Sequence, residues 1–272
     1  MYDNILIDGR NIVYRTVAAS YTSIDKIHPI TIFIRMMDKW RRLFKPNKWR
    51  IFWDTPKDKI WRHDIYSEYK GNRPKYEDSF KKLISDTQIY GALIFNHMNI
   101  TQYIRKHNEA DDLIYAYVVS HPDEKHLIIS SDGDMPQIIY RHKNCDLHSP
   151  NNKKQSLIDI PEYDPVVIKA LSGDKSDNIK NYPLVAEKTA IKIIKKGLED
   201  YLSLKGRDLF DLNCTLIDFN KNPNLDDNIS YINSIKDNQN FDLRKIKKII
   251  LNKSITGLYS ELISHVKPFK NN

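Results

Sequence analysis

Three β-prone runs in this chain each lead into an aspartate: Asn4 to Ile7 into Asp8, Arg50 to Trp53 into Asp54, and Lys125 to Ser131 into Asp132. Helical patterns lie between them. Residues 11–20 and Pro29 to Phe44 are amphipathic at helical spacing, Ile100 to Ile104 is a further candidate strand, and EADDLIYAYVVSH and Met135 to Tyr140 read as helices. Strand and helix alternate, which predicts an α/β domain with a largely parallel sheet flanked by helices. Such a sheet binds ligands outside the carboxyl ends of its strands, and those are the ends that carry the aspartates.

Past Pro150 the pattern changes. NNKKQ reads as a loop, and PEYDPVVIKAL, EKTAIKIIKKG and FDLRKIKKIIL read as short helices between Asn- and Lys-rich turns. A boundary is therefore expected near residue 150, with an α/β core over 1–150 and an all-helical region over 151–272. The Asn/Asp-rich stretch from Asn213 to Asn240 is expected to be loops between helices. No apolar run approaches the roughly 18 residues of a membrane span, and the N-terminus has no basic leader. Two cysteines, Cys145 and Cys214, exclude a disulfide framework and a four-cysteine zinc site, so a cytoplasmic, monomeric protein without membrane contact is expected. The histidines show no metal-ligand spacing, and the four tryptophans suit packing better than base stacking. With 43 Lys and Arg against 35 Asp and Glu, net +8, the chain suits a polyanionic partner.

The acids carry more information than the net charge. Asp8, Asp54, Asp132 and Asp134 follow strands, Glu109, Asp111 and Asp112 open a helix, and Asp174 and Asp177 sit in LSGDKSDNI. A lone aspartate after a strand most often caps a helix, and acids in a first helical turn usually face its dipole. Capping alone gives no reason for acids after several strands and again in the second region. Gathered at one edge, these nine would repel unless cations held them, and an all-oxygen donor set selects hard ions such as Mg²⁺, with Mn²⁺ as a substitute. Glu109 and Asp112 share a face if helical, as do Asp174 and Asp177, while Asp132 and Asp134 point the same way if extended. A basic body around an acidic pit attracts a phosphate backbone and accepts it only with metal bound, which points to metal-assisted phosphodiester hydrolysis.

IDGRNIVYR, FWD, EYKGNRP, NEADD, ISSDGDMPQ and LSGDKSDNI, in that order, resemble the successive motifs of the flap endonuclease (5′ nuclease) family, whose core is a PIN-like α/β fold. The resemblance runs over residues 4 to 235. It implies that Asp8, Asp54, Asp112 and Asp132 surround one Mg²⁺, that Asp134, Asp174 and Asp177 surround a second, and that Glu109 and Asp111 help through water. EYKGNRP resembles the start of a helical arch over about 70–98, mobile without DNA. Its Lys70 and Arg73 would contact the scissile phosphate from one helix face, and Tyr69 would stack on an unpaired base. Residues 171–196 resemble a helix–three-turn–helix that grips duplex DNA, with Lys188, Thr189 and Lys192 on the backbone. Many relatives carry a Gly-x-Gly hairpin there, but this chain has no glycine between Gly173 and Gly197. The implied substrates are DNA and RNA–DNA hybrids with a 5′ flap or nick, and the implied partners a replication single-strand-binding protein or clamp. The rivals are a PIN-type single-strand ribonuclease, which needs neither EYKGNRP nor the Asp174–Asp177 pair, a phosphatase with a D-x-D nucleophile, which Asp8-Gly9-Arg10 lacks, and a non-catalytic DNA-binding module.

Overall fold

The computed structural model describes residues 1–22, 27–55, 60–73, 76–150, 157–253, 255 and 259–271. Its elements run β1 (Asn4–Asp8), α1 (Gly9–Tyr21), α2 (Pro29–Phe44), β2 (Lys48–Trp53), α3 (Trp61–Ile65), α4 (Asp78–Phe95), β3 (Ile100–Ile104), α5 (Ala110–Ser120), β4 (His126–Ile129), α6 (Pro136–Arg141) and β5 (Cys145–His148). They continue with α7 (Pro165–Ser172), α8 (Glu187–Lys205), α9 (Asp208–Ile217), α10 (Leu225–Ser234), α11 (Leu243–Asn252) and α12 (Tyr259–Val266). The five strands form one parallel sheet in the order β3-β2-β1-β4-β5. The chain winds outward from β1 to β3, then returns to the other side of β1 for β4. That reversal opens a crevice at the carboxyl ends of β1 and β4, beside Asp8 and the turn that carries Asp132.

Both faces of the sheet are covered, so β1 reads as a continuous apolar run rather than an alternation. Ile5 and Ile7 pack with α1, α2 and α4, together with Trp40, Trp49 and Trp53. Leu6, one residue out of phase, faces the opposite layer of α5, α6 and α10. The helices α7, α8 and α9 share a separate apolar cluster around Leu171, Ala190 and Phe210. A fourth cluster, with Ile60, Tyr69, Ile179 and Leu216, joins that group to the turn after α3.

Several expectations need correction. Residues 67–72 are a turn with Lys70 at φ 57, so Lys70 and Arg73 do not share a helix face. Within the expected helical arch, Asp78 to Phe95 is a helix that packs on α1 and α2 through Ile84 and Phe95; residues 74–75 lie outside the described residues, as does NNKKQ. The stretch 213–240 holds the end of α9 and all of α10, because Ile229 and Ile232 repeat at helical spacing and bury against α5. The strand β5 and the single turn α3 are too short to announce themselves by period. EKTAIKIIKKG extends to Lys205 across a kink at Gly197, whose φ of 127 belongs to glycine. At the C-terminus Val266 and Phe269 are buried in the core, Phe269 edge-on to Trp49. Among the described residues no helix is long and apolar enough to cross a membrane.

Gly9 starts α1 directly after Asp8 because nothing larger fits. A Cβ there would stand 2.5 Å from the Trp53 ring and 2.8 Å from the Phe52 carbonyl. Gly9→Ala should therefore destabilise the protein by about 1–3 kcal/mol through overpacking. An unchanged urea midpoint would show that this junction has slack.

Candidate active site

Asp8 plays two parts at the end of β1. Its Oδ1 accepts the Asn11 N–H at 3.0 Å and so caps α1, while Oδ2 accepts from Ser130 Oγ at 2.8 Å across the crevice to β4. Asp54, just past β2, accepts the Ala110 N–H at 2.8 Å and faces the first turn of α5. In that turn Asp111 points outward. Asp132 follows β4 and accepts the Asp134 N–H at 2.8 Å. Asp8, Asp54, Glu109, Asp111 and Asp132 line one cleft of about 150 Å³, with Arg10, Asn11, Tyr14, Lys70 and Arg73 also on its wall.

Ion pairing divides the acids into two sets, although burial also raises the paired Asp134, to about 6. Burial, then Asp54 and Asp132, push the Asp8 carboxyl up to about 7. Burial and Glu109 raise Asp54, and burial, Asp112 and Glu109 raise Asp111 well above the usual carboxylate range. These groups, with Asp132, pair with none of the described lysines or arginines. Glu109 is the opposite case. Burial disfavours its charge, but Lys70 and Arg62 outweigh that and hold it at about 2. Asp112 is held by Arg62, whose Nη2 and Nη1 stand 3.0 and 3.1 Å from its two oxygens, and by Trp61 Nε1 at 3.1 Å. Asp134 and Asp174 share Lys169, and Asp177 accepts from Arg73 at 3.0 Å and from the Tyr69 hydroxyl at 2.7 Å.

These contacts revise the expected roles. Asp112 does not reach the cleft: with Glu109 it closes a capping box, and its oxygens face Arg62 in the interior. Its neighbour Asp111, a hundred degrees round the helix, lines the cleft instead. Tyr69 is 3% exposed with its hydroxyl on Asp177, so it offers no face for stacking. Asp174 and Asp177 do not share a helix face. Gly173 at φ 69 ends α7, and residues 174–179 form a tight bridged turn that sends one acid to Lys169 and the other to Arg73. That turn docks on residues 68–73 through the Lys70 N–H to Asp177 carbonyl bond at 3.0 Å and the Asn178 bond to the Glu68 carbonyl at 2.8 Å. Lys70 nonetheless sits at the cleft wall, bonded to Glu109 and 3.8 Å from Asp177. Lys188, Thr189 and Lys192 are exposed on the first turns of α8. Sequence reasoning passed over Arg10, Asn11, Tyr14, Arg62 and Lys169. Only the first three carried a signal, as polar residues on one face of the helix that Asp8 caps.

Among the described residues no three His, Cys, Asp or Glu side chains stand grouped as a ready metal cage. The chemistry of the cleft still fits a divalent ion. Its donors are all oxygen, and burial and mutual repulsion oppose the ionisation of Asp8, Asp54 and Asp111, a penalty that a bound cation would relieve.

Residues 3–166 match the family model described as "5'-3' exonuclease, N-terminal resolvase-like domain". DNA polymerase I of Bacillus caldotenax is 30% identical over 216 residues, which are 71% of this chain and 23% of that one, so the chain spans under a quarter of that relative. The 5'-3' exonuclease of Mycoplasmopsis pulmonis is 30% identical over 210 residues, 72% of this chain and 67% of its own. Among solved structures, the bacteriophage T5 flap endonuclease in a pseudo-enzyme-product complex with DNA and metal ions superposes with a TM-score of 0.63 at 16% identity, covering 96% of this chain and 99% of its own.

Two outcomes are expected from the charge distribution. Arg62→Met leaves Asp112 buried without its cation, Glu109 keeping Lys70, and should cost about 3–5 kcal/mol in urea unfolding; a smaller loss than 1 kcal/mol would mean that the guanidinium is not what neutralises Asp112. The Asp8 proton is retained by the folded chain up to about pH 7 but released by the unfolded chain near the usual carboxyl range. Stability without divalent ions should therefore fall as pH rises between those values. Asp8→Asn should be more stable than wild type by roughly 1–4 kcal/mol at pH 8 in chelator, with the difference fading toward pH 4.

Proposed function

Because the chain belongs to the 5′-3′ exonuclease family, we propose that it hydrolyses phosphodiesters at the 5′ ends and flaps of DNA, using divalent ions held by its carboxylates. One observation carries this reading: Asp8, Asp54, Asp111 and Asp132, which make no ion pair with the described residues, share a cleft with Lys70 and Arg73. Acids that lack a counter-ion are suited to hold metal, and cations beside them are suited to hold the phosphate that is to be cut. When bound, the ions would supply a water of lowered pKa and neutralise charge on the leaving oxygen. The chain supplies the rest. Lys70 and Arg73 bind and orient the phosphate, and for this they must leave Glu109 and Asp177. Arg10 and Tyr14 border the same opening from α1. Lys188, Thr189 and Lys192 hold the duplex backbone from α8, so recognition follows junction shape rather than base sequence.

Finer points belong to the same reading. The blocks IWRHDIYSEYKGNR, HLIISSDGDMPQ and NCTLIDFNKNPNLDDNI resemble the RNase H of T-even bacteriophages, which favours RNA-primed DNA as a substrate and the clearing of lagging-strand primers as the task. Mg²⁺ is the favoured ion, two per site, on the hardness of the oxygen donors. The soft boundary near residue 150 falls between a cleavage region and a duplex-holding region, and a replication single-strand-binding protein or clamp is the favoured protein partner.

The deciding experiment is cleavage of a 5′-labelled flap with and without Mg²⁺, beside an unstructured RNA of equal length. Mg²⁺-dependent release of the flap supports the proposal, and preference for the RNA would instead favour a PIN-type ribonuclease. Lys70→Ala should lower the single-turnover rate by about 10²–10³. Asp132→Asn should abolish cleavage while flap affinity in Ca²⁺ stays within threefold or so, since phosphate contacts elsewhere carry the binding.

A further inference from the structure

Asp134 and Asp174 belong to different parts of the chain, the turn after β4 and the turn after α7, yet one ammonium spans them. Lys169 Nζ stands 2.6 Å from Asp134 Oδ1 and 2.6 Å from Asp174 Oδ2. Its place is built by the backbone around it. Lys169 lies in the last turn of α7, where the helix dipole favours a cation. Gly173, at φ 69, reverses the chain so that Asp174 returns to a lysine five residues earlier. Gly133 leaves room on the other side, since a Cβ there would stand 3.2 Å from the ammonium. The remaining Asp174 oxygen is also engaged, by the Ser176 N–H at 2.8 Å and Oγ at 2.6 Å.

These two acids therefore differ in kind from Asp8, Asp54, Asp111 and Asp132, which have no cationic partner among the described residues. An ion entering near Asp8 meets carboxylates that gain a partner. An ion entering between Asp134 and Asp174 must first break two charge-assisted hydrogen bonds. The lysine can yield: it is 19% exposed on a flexible four-carbon stem.

We propose that Lys169 is a resident counter-ion for Asp134 and Asp174, which a second divalent cation must displace, so that the cleft fills in two unequal steps. The proposal rests on the reading of this cleft as a metal-dependent nuclease site. It assigns the weaker step to Asp134 and Asp174 and makes one side chain the determinant of its affinity.

Calorimetric titration of Mg²⁺ into the full chain without DNA tests it, comparing wild type, Lys169→Met and Lys169→Arg. Wild type should bind in two steps. Lys169→Met should tighten the weaker step by about tenfold or more, the scale of one charge-assisted hydrogen bond, and leave the stronger step unmoved. Lys169→Arg, which keeps the charge, should behave as wild type. In ¹⁵N-labelled wild type, the Lys169 ammonium resonance should shift across the weaker step only, a readout that stands even if Lys169→Met fails to fold. Two-step binding indifferent to Lys169→Met, or an ammonium signal that ignores Mg²⁺, would sink the role of Lys169 alone. Absence of any Mg²⁺ binding to wild type would overturn both this role and the nuclease reading beneath it.

Discussion

A single buried guanidinium holds the cleft to the rest of the molecule. Arg62, 2% exposed, donates from Nε to the Leu216 carbonyl at 2.8 Å, from Nη1 to Glu109 at 3.0 Å, and through both Nη atoms to Asp112. Its Cζ lies 4.5 Å from the Trp61 ring centroid. One side chain thus ties the short helix α3 to the acidic start of α5 and to the end of α9. A lysine could not replace it, because the geometry needs a planar fork with donors in three directions. With Arg62 in place, Asp112 is neutralised inside the fold and Asp111 is left facing the cleft, so the same ion pair that stabilises the fold also orients the α5 acids.

The remaining acids follow the same division between structure and chemistry. Where the chain sets a cation against an acid, the charge is offset to different degrees: Lys70 holds Glu109 low and Lys169 holds Asp174 low against burial, whereas burial still raises Asp134 to about 6 beside the same lysine. Where no cation is bonded, burial and repulsion raise Asp8, Asp54 and Asp111, outweighing Lys70 at the latter two. A fold gains nothing by collecting unpaired carboxylates at one sheet edge. Their cost is intelligible if the site is completed by something the chain does not itself provide. On the proposed reading, Lys70 and Arg73 already sit against Glu109 and Asp177, the acids they would release to hold a phosphate.

Much of this was legible in the sequence. The parallel sheet followed from strands that alternate with helices, and the crevice from aspartates placed after them, since the switch between β1 and β4 can only bring Asp8 and Asp132 together. Legibility failed where direction rather than position mattered. Spacing could say that Glu109 and Asp112 share a face, but not that the face is interior, because Arg62 lies 47 residues from Glu109 in the chain. Tyr69 was misread for the same reason: its partner Asp177 is 108 residues away. The turn at residues 67–72 and the short strand β5 have too few residues to show a period, and the apolar spacing of α10 is diluted by the Asn and Asp residues within and around it.

The hairpin before α8 shows how shape can persist without the residue that usually makes it. Tyr182 to Val185 forms a turn closed by the Val185 N–H on the Tyr182 carbonyl at 3.0 Å, with Pro183 fixing the first corner. The second corner needs positive φ, and Leu184 supplies it at 63°, at a cost of about 1–2 kcal/mol that a glycine would not incur. Tyr182 and Val185, 3% and 4% exposed, anchor the turn from either side, and the Tyr182 hydroxyl is tied to the Gly206 carbonyl at 2.6 Å. The burial of those two side chains offsets the strain and keeps the corner in place. What changes is the outer surface: Leu184 is 97% exposed, so anything that approaches this corner meets a leucine side chain before it meets the backbone. One turn further on, the exposed side chains of Lys188, Thr189 and Lys192 point into solvent, where the proposed reading sets them on the duplex backbone.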